Sequence, residues 1–206
     1  MADEQVLVIK RSIIEEIGVF HGLMFNIREY LDRIFAAGAG QFIPRTQAEK
    51  DPGFKQLIPY VLISCSGRYL TYVRGKRAGE SRLIAKRSIG IGGHINPTDD
   101  MSLFSPYQTY LNAVQREVEE EIYIQARYTD RIAALLNDDT NEVGAVHLGI
   151  VHLWTLDSQQ VSRKEQMITQ LEFMNKDALR QVREQMETWS QLCLDELDNI
   201  EKTVLS

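Results

Sequence analysis

Arg116-Glu117-Val118-Glu119-Glu120-Glu121-Ile122 is the stretch on which the reading of this chain turns. Residues three and four apart on a helix are neighbours, so a helix here puts Glu117, Glu120 and Glu121 on one face. Three carboxylates in one patch repel each other and call for a counter-charge. A hard divalent cation such as Mg²⁺ takes oxygen ligands in an octahedron and answers that need. Arg116 stands at the head of the run, and the glycine-rich turn Gly90-Ile91-Gly92-Gly93 lies upstream. Alone, a Glu-rich helical turn is ordinarily a solvated face. The arginine and the glycine turn weigh against that reading here.

Working outward, residues 107–123 read as the helix that carries the carboxylates. Before them, residues 60–65 and 69–73 are aromatic and β-branched strands joined by a turn at Ser66-Gly67-Arg68. Residues 132–136 and 146–156 are further strands, with a turn at 137–141. Residues 176–202 carry Leu179, Val182, Met186, Trp189, Cys193, Leu197 and Ile200 at spacings of three and four, which predicts one long amphipathic helix. Such a helix packs on its own domain, and a dimer seam, hence a homodimer, is the alternative. Towards the N-terminus, residues 6–9 read as a short strand, 23–37 as a helix and 41–58 as a polar connector. Residues 1–58 are expected to form a strand-helix extension packed on a main domain at 59–206. Strands mixed with helices on this scale predict a layered α/β domain.

The 206 residues suit one domain, and 44% hydrophobic content is enough for a core. A net charge of -6 argues against nucleic-acid or anionic-membrane binding as a general property. Cys65 and Cys193 have no metal or redox spacing and read as reduced core thiols, which suits a cytoplasmic protein. The start, Met1-Ala2-Asp3-Glu4-Gln5, lacks a signal-peptide pattern. No apolar run approaches the ~18 residues of a membrane span.

Taken together, Gly93, Asp99, Arg116, Glu117, Val118, Glu120, Glu121 and Ile124 resemble the signature of the Nudix hydrolases, Gly-x5-Glu-x7-Arg-Glu-U-x-Glu-Glu-x-Gly-U, in which U is bulky and aliphatic. The resemblance spans roughly residues 58–182. Asp99 stands where the signature has glutamate. The interval from Asp99 to Arg116 is longer than seven residues, and Tyr123 replaces the glycine. The insertion, around residues 101–106, precedes the helix, where a loop lengthens cheaply. Losing the glycine costs the left-handed helix terminus, so the helix is expected to run one turn longer. Neither change removes a ligand. The loop Gly92-Gly93-His94-Ile95-Asn96 is also similar to that of a bacterial branch of predicted phosphoesterases.

The resemblance implies an α/β/α sandwich with a mixed sheet and hydrolysis of a diphosphate linkage in a nucleotide derivative or similar small molecule. It implies Mg²⁺ or Mn²⁺ held by Glu117, Glu120 and Glu121, with the Gly93 carbonyl as a further ligand and Arg116 orienting a glutamate. A general base from the loop before the last helix points to Glu165, with Glu172 as runner-up. Residues 68–87 carry Arg68, Arg74, Lys76, Arg77, Arg82, Lys86 and Arg87 against Glu80. The ordinary reading of that segment is a solvated hairpin. If it meets substrate phosphate, Arg74 and Arg82 are the better matched side chains, and His94 is a third candidate contact. His147 and His152, five apart on one strand, point to opposite faces and are given no role. Two rivals remain. One is a ligand-binding sensor on the same fold that has lost turnover. The other, an isoprenoid-diphosphate isomerase, needs a reactive cysteine that neither Cys65 nor Cys193 supplies.

Overall fold

The computed structural model describes residues 3–75, 86–99, 105–164 and 168–203. In chain order the elements are β1 (Gln5–Lys10), α1 (Ser12–Ile17), β2 (Gly22–Met24), α2 (Arg28–Ile34), β3 (Gly40–Pro44), α3 (Arg45–Ala48), β4 (Phe54–Cys65), β5 (Arg68–Arg74), β6 (Arg87–Ser88) and β7 (Gly90–Gly92). They continue with α4 (Pro106–Glu121), β8 (Ile122–Ile124), β9 (Tyr128–Asn137), α5 (Glu142–Ala145), β10 (His147–Leu156), β11 (Val161–Arg163), β12 (Ile168–Asn175), α6 (Lys176–Gln181), α7 (Thr188–Asp195) and α8 (Leu197–Lys202). The fold is mixed α/β, as expected. Two compact units divide the chain. One holds Met1–Pro59, Gly93–Gln115 and Ala134–Ile150; the other holds Tyr60–Gly92, Arg116–Ala133 and Val151–Ser206.

In the first unit β1 pairs antiparallel with β3 (Gln5↔Pro44 to Ile9↔Gly40) and with the start of β4 (Val8↔Gln56 to Lys10↔Phe54). β2 pairs with the end of β9. The sequence read a helix over 23–37 and a connector over 41–58. In the structure Gly22–Met24 is a strand, the helix is confined to Arg28–Ile34, and the connector contains β3, α3 and the entry to β4. Those short strands are made by pairing to distant partners, which periodicity over so few residues does not register.

A buried ion-pair hub closes this unit. Lys55 is 1% exposed, and its ammonium donates to Asp139 Oδ1 (2.6 Å), the Gly144 carbonyl (2.9 Å) and the His147 carbonyl (3.2 Å). All three of its protons are thereby used. Asp139 also accepts from Arg11 Nη2 at 2.6 Å. Burial pushes the Asp139 carboxyl up, but hydrogen bonds from Lys55, Arg11 and Asn137 outweigh it and hold the group below the usual carboxylate range. A carboxyl depressed on folding contributes stability that is present above its unfolded value near 3.9 and lost as pH falls through its folded value. Lys55→Met should cost about 3 kcal/mol at pH 7, the low end for breaking a buried pair, because Arg11 still serves Asp139. Urea midpoints check this. A loss below about 1 kcal/mol would show that the hub does not hold the unit. The gap between variant and wild type should narrow as pH drops below about 4.

In the second unit the strand order is β12-β5-β4-β10-β9. β5 follows β4 through a two-residue turn, with Cys65↔Arg68 as the last pair. Ser66 and Gly67 both have positive φ, 50° and 72°, the conformation that two-residue hairpins favour and glycine tolerates. β4 pairs with β7 from Tyr60↔Gly92 to Leu62↔Gly90. Pro59, which has no N–H to donate, lies between this ladder and the β1 ladder that ends at Gln56. β11 pairs with β8.

Two helical expectations are corrected. α4 does not extend past Glu121: Ile122–Ile124 turns directly into β8, and Lys164 N–H bonds the Glu121 carbonyl. The chain therefore needs no left-handed residue at Tyr123. Residues 176–202 are not one helix. α6, a single 3-10 turn at Arg183–Gln185, α7 and α8 follow one another. The break lies at Met186 and Glu187, both extended; Glu187 N–H bonds the Arg87 carbonyl at 3.1 Å and its carboxylate caps α7. Leu179, Met186, Cys193, Leu197 and Ile200 are buried as the stripe predicted, but the long seam suggested for a dimer has no continuous helix to run along. Cys65 and Cys193 are free and buried. No helix among the described residues is long and apolar enough to cross a membrane.

Candidate active site

α4 owes its position to one apolar stripe. Tyr110, Ala113, Val114 and Val118 are at most 1% exposed, at the three- and four-residue spacing of a helix face. Pro106 opens the helix, where its missing N–H costs nothing. The carboxylates stand off that stripe. Arg116 Nη1 donates to Glu117 Oε1 at 2.8 Å and to Glu120 Oε1 at 3.3 Å. The Glu117 side chain is 14% exposed and that of Glu120 55%. Glu121 is half-buried. The resemblance assigned Arg116 to orienting a glutamate, and here it holds two.

These donors suit a hard divalent ion in kind, since all are carboxylate oxygens from a single helical turn. Among the described residues no three His, Cys, Asp or Glu side chains are gathered closely enough to hold an ion. The guanidinium of Arg116 supplies the counter-charge between Glu117 and Glu120.

Arg74 ends β5 in the same unit. Its guanidinium lies 5.7 Å from the centre of the Tyr72 ring, and its Nε is buried with no hydrogen-bond partner among the described residues. Its pKa is held above the ordinary arginine value, by Tyr72 first and then by Glu187, Tyr60 and Glu121, against the cost of burial. Burial keeps both tyrosines protonated at neutral pH, so of these groups Glu187 and Glu121 carry the charge that favours the Arg74 cation. This arginine is not the solvated hairpin side chain of the ordinary reading. Arg82 and Glu165 lie outside the described residues.

Glu172, the runner-up base, accepts from Arg87 Nη1 at 3.1 Å. Arg87 is 8% exposed and also reaches Gln170 Oε1 at 3.3 Å. Gln170, with φ of 50°, sits in the bulge that interrupts the β12–β5 ladder. Glu172 is thus engaged in fastening β12.

Gly93, His94 and Asp99 belong to the first unit. Asp99 is 5% exposed and accepts from Asn96 N–H at 2.8 Å, closing its own loop. His94 Nε2 lies 3.4 Å from His147 Nε2, and His147 Nδ1 lies 2.6 Å from the Val143 carbonyl. A carbonyl only accepts, so His147 carries its proton on Nδ1 and His94 donates from Nε2. Burial, then Arg45 and His147, push the His94 pKa down to about 3. It is a neutral imidazole at physiological pH and offers a substrate phosphate no charge. Sequence spacing excluded a pairing of His147 with His152 but carried no signal for its pairing with His94, which only the fold creates.

The glycine turn serves the protein's own packing at Gly90. A Cβ on Gly90 would stand 2.3 Å from Cε1 and Cζ of Tyr60. The close approach that Gly90 permits is therefore to an aromatic ring of the protein itself. The Tyr60 hydroxyl meets Ser190 Oγ at 2.8 Å and donates to Glu187 Oε1. Neither Glu187 nor Ser190 carried any sequence signal beyond the helical stripe around them.

No protein-family model matches the chain. Protein YmaB of Bacillus subtilis (strain 168) is 36% identical over 206 residues, covering 95% of this chain and 98% of that protein. Among solved structures, the crystal structure of Tm1382, described as a candidate Nudix hydrolase, is similar with a TM-score of 0.77. It is 31% identical over 96% of this chain and 99% of its own length.

Proposed function

This chain belongs to the Nudix superfamily, and on that premise we propose that it is a cytoplasmic, metal-dependent hydrolase of a diphosphate linkage in a nucleotide derivative or similar small molecule. The observation that carries the reading is the single turn of α4 in which Arg116 holds Glu117 and Glu120 beside Glu121. The Glu117 side chain is only 14% exposed, where a solvated acidic face would leave it open. The similarity to a candidate Nudix hydrolase over 99% of that chain's length supports the same reading.

Glu117, Glu120 and Glu121 would hold Mg²⁺ or Mn²⁺, which when bound supplies charge neutralisation at the diphosphate. Arg116, bonded to Oε1 of Glu117 and of Glu120, would keep those carboxylates oriented through charge-assisted hydrogen bonds. Arg74 would take a phosphate oxygen, since it is only half-buried and its guanidinium matches phosphate geometry. Water attacks one phosphorus and the bridging P–O bond breaks, so one proton must leave the water. Glu165 is the residue proposed to accept it. Glu165→Gln should lower kcat by ~10²-fold or more, read in steady-state kinetics; an unchanged rate would move the base elsewhere.

The deciding assay is a panel of nucleoside and dinucleotide polyphosphates, nucleotide sugars and prenyl diphosphates with Mg²⁺ or Mn²⁺, reading phosphate and pyrophosphate release. Metal-dependent turnover of one class establishes the hydrolase and names its substrate. Metal or nucleotide binding with no turnover overturns it in favour of a sensor.

A further inference from the structure

Glu187 is a carboxylate with an unusual number of donors. Its Oε1 accepts from the Tyr60 hydroxyl, from Ser190 Oγ at 2.7 Å, from Ser190 N–H at 3.2 Å and from Ser88 Oγ at 3.3 Å. Its Oε2 accepts from Trp189 N–H at 3.0 Å. Capping α7 needs only the two backbone N–H groups. The hydroxyls of Tyr60, Ser88 and Ser190 are more than a cap requires, and they come from three separate elements.

Followed outward, the network reaches the backbone of residues 88–90 at several polar atoms. Ser190 Oγ accepts from Ile89 N–H at 2.9 Å. Gly90 N–H donates to Ser88 Oγ at 3.3 Å, and Tyr72 donates to the Gly90 carbonyl at 2.9 Å. Thr71 Oγ1 donates to the Ser88 carbonyl at 2.9 Å. Tyr72 is fully buried and pinned at its hydroxyl, and its ring lies beneath the Arg74 guanidinium at 5.7 Å. An unbroken path therefore runs from Glu187 through Ser88, the N–H and carbonyl of Gly90, and Tyr72 to Arg74. Glu187 is also a carboxylate whose field Arg74 feels.

We propose that Glu187 is a positioning residue for anion binding: through Ser88, Gly90 and Tyr72 it sets the place of the Arg74 guanidinium, and its charge balances that guanidinium until a substrate diphosphate arrives. The proposal rests on the reading of Arg74 as a phosphate contact. A purely architectural Glu187 would hold α7 and the strand together but leave anion affinity alone. A positioning Glu187 changes anion affinity only while Arg74 is present.

The test is a double-mutant cycle read by calorimetric binding of inorganic pyrophosphate in the presence of Mg²⁺. Arg74→Met should weaken binding about tenfold, the scale of losing one charged hydrogen bond. Glu187→Gln should weaken it several-fold, because an amide at this position turns an N–H₂ against a donor. In the double variant the loss should match that of Arg74→Met alone, the non-additivity of two residues acting through one contact. Glu187→Gln binding as wild type, or losses that multiply, would overturn the proposal. Should Glu187→Gln fail to fold, Ser88→Ala cuts the same path more gently and enters the same cycle. Arg74→Met without effect would remove Arg74 from the site; whether the protein is a hydrolase is decided separately, by Glu120.

Discussion

Glu120→Gln is expected to abolish metal-dependent turnover while leaving the fold intact. The exchange keeps size and shape and removes one negative charge from the carboxylate turn. The drop in kcat should be on the order of 10²–10⁴-fold, the range for losing a positioned catalytic group, and Mn²⁺ affinity should fall with it. Stability should hardly move. The Glu120 side chain is 55% exposed and its ion pair with Arg116 is 3.3 Å long, a class of contact worth about 0–1 kcal/mol. The paired measurement is steady-state rate and thermal midpoint on the same preparation. A variant that turns over at the wild-type rate would remove the α4 turn from catalysis. A variant that lost activity only by unfolding would say nothing of a metal site, and the exposure of Glu120 argues against that outcome.

The second large effect is structural. Gly90→Ala should destabilise the protein by about 3 kcal/mol or more, the upper range for overpacking a tight site. The added methyl would lie 2.3 Å from two ring carbons of Tyr60. Tyr60 cannot swing aside, because its hydroxyl is held by Glu187 and Ser190, and its ring packs edge-on against Trp189 at 5.5 Å. For a chain of this length the midpoint should fall by roughly 6–12 °C. Tyr60→Leu in the same chain should return part of the loss, since neighbours that compete for one space do not add. A shift of less than a degree or two for Gly90→Ala alone would mean that the ring is free to move, and the rigid path from Glu187 to Arg74 would lose its anchor.

Much of the candidate site was legible because it is local. Glu117, Glu120 and Glu121 share a face by helical geometry alone, and Arg116 reaches Glu117 and Glu120 within the same turn. The hairpin at Ser66-Gly67 was legible for the same reason, since a two-residue turn demands positive φ where Gly67 stands. Failures occurred where a residue's fate depends on a partner far along the chain. His147 was dismissed on its spacing to His152, yet its partner is His94, 53 residues away. Glu187 looked like one more polar position on a long helix. It breaks that helix because its N–H pairs with Arg87 and its carboxylate with Tyr60, 127 residues away.

The amino-acid sequence by itself determined the mixed α/β class, the carboxylate turn with its arginine, and the apolar stripe that packs the C-terminal segment. All three follow from periodicities of two and 3.6 residues, which the backbone enforces without reference to the rest of the molecule. Only the tertiary fold makes Arg74 a half-buried cation in the field of Glu187 and Glu121, has Gly90 make room for a tyrosine ring, and breaks the last helix into three. Those outcomes rest on burial, close approach and paired charge between distant residues. The free energy of such contacts exists only once the chain has brought them together.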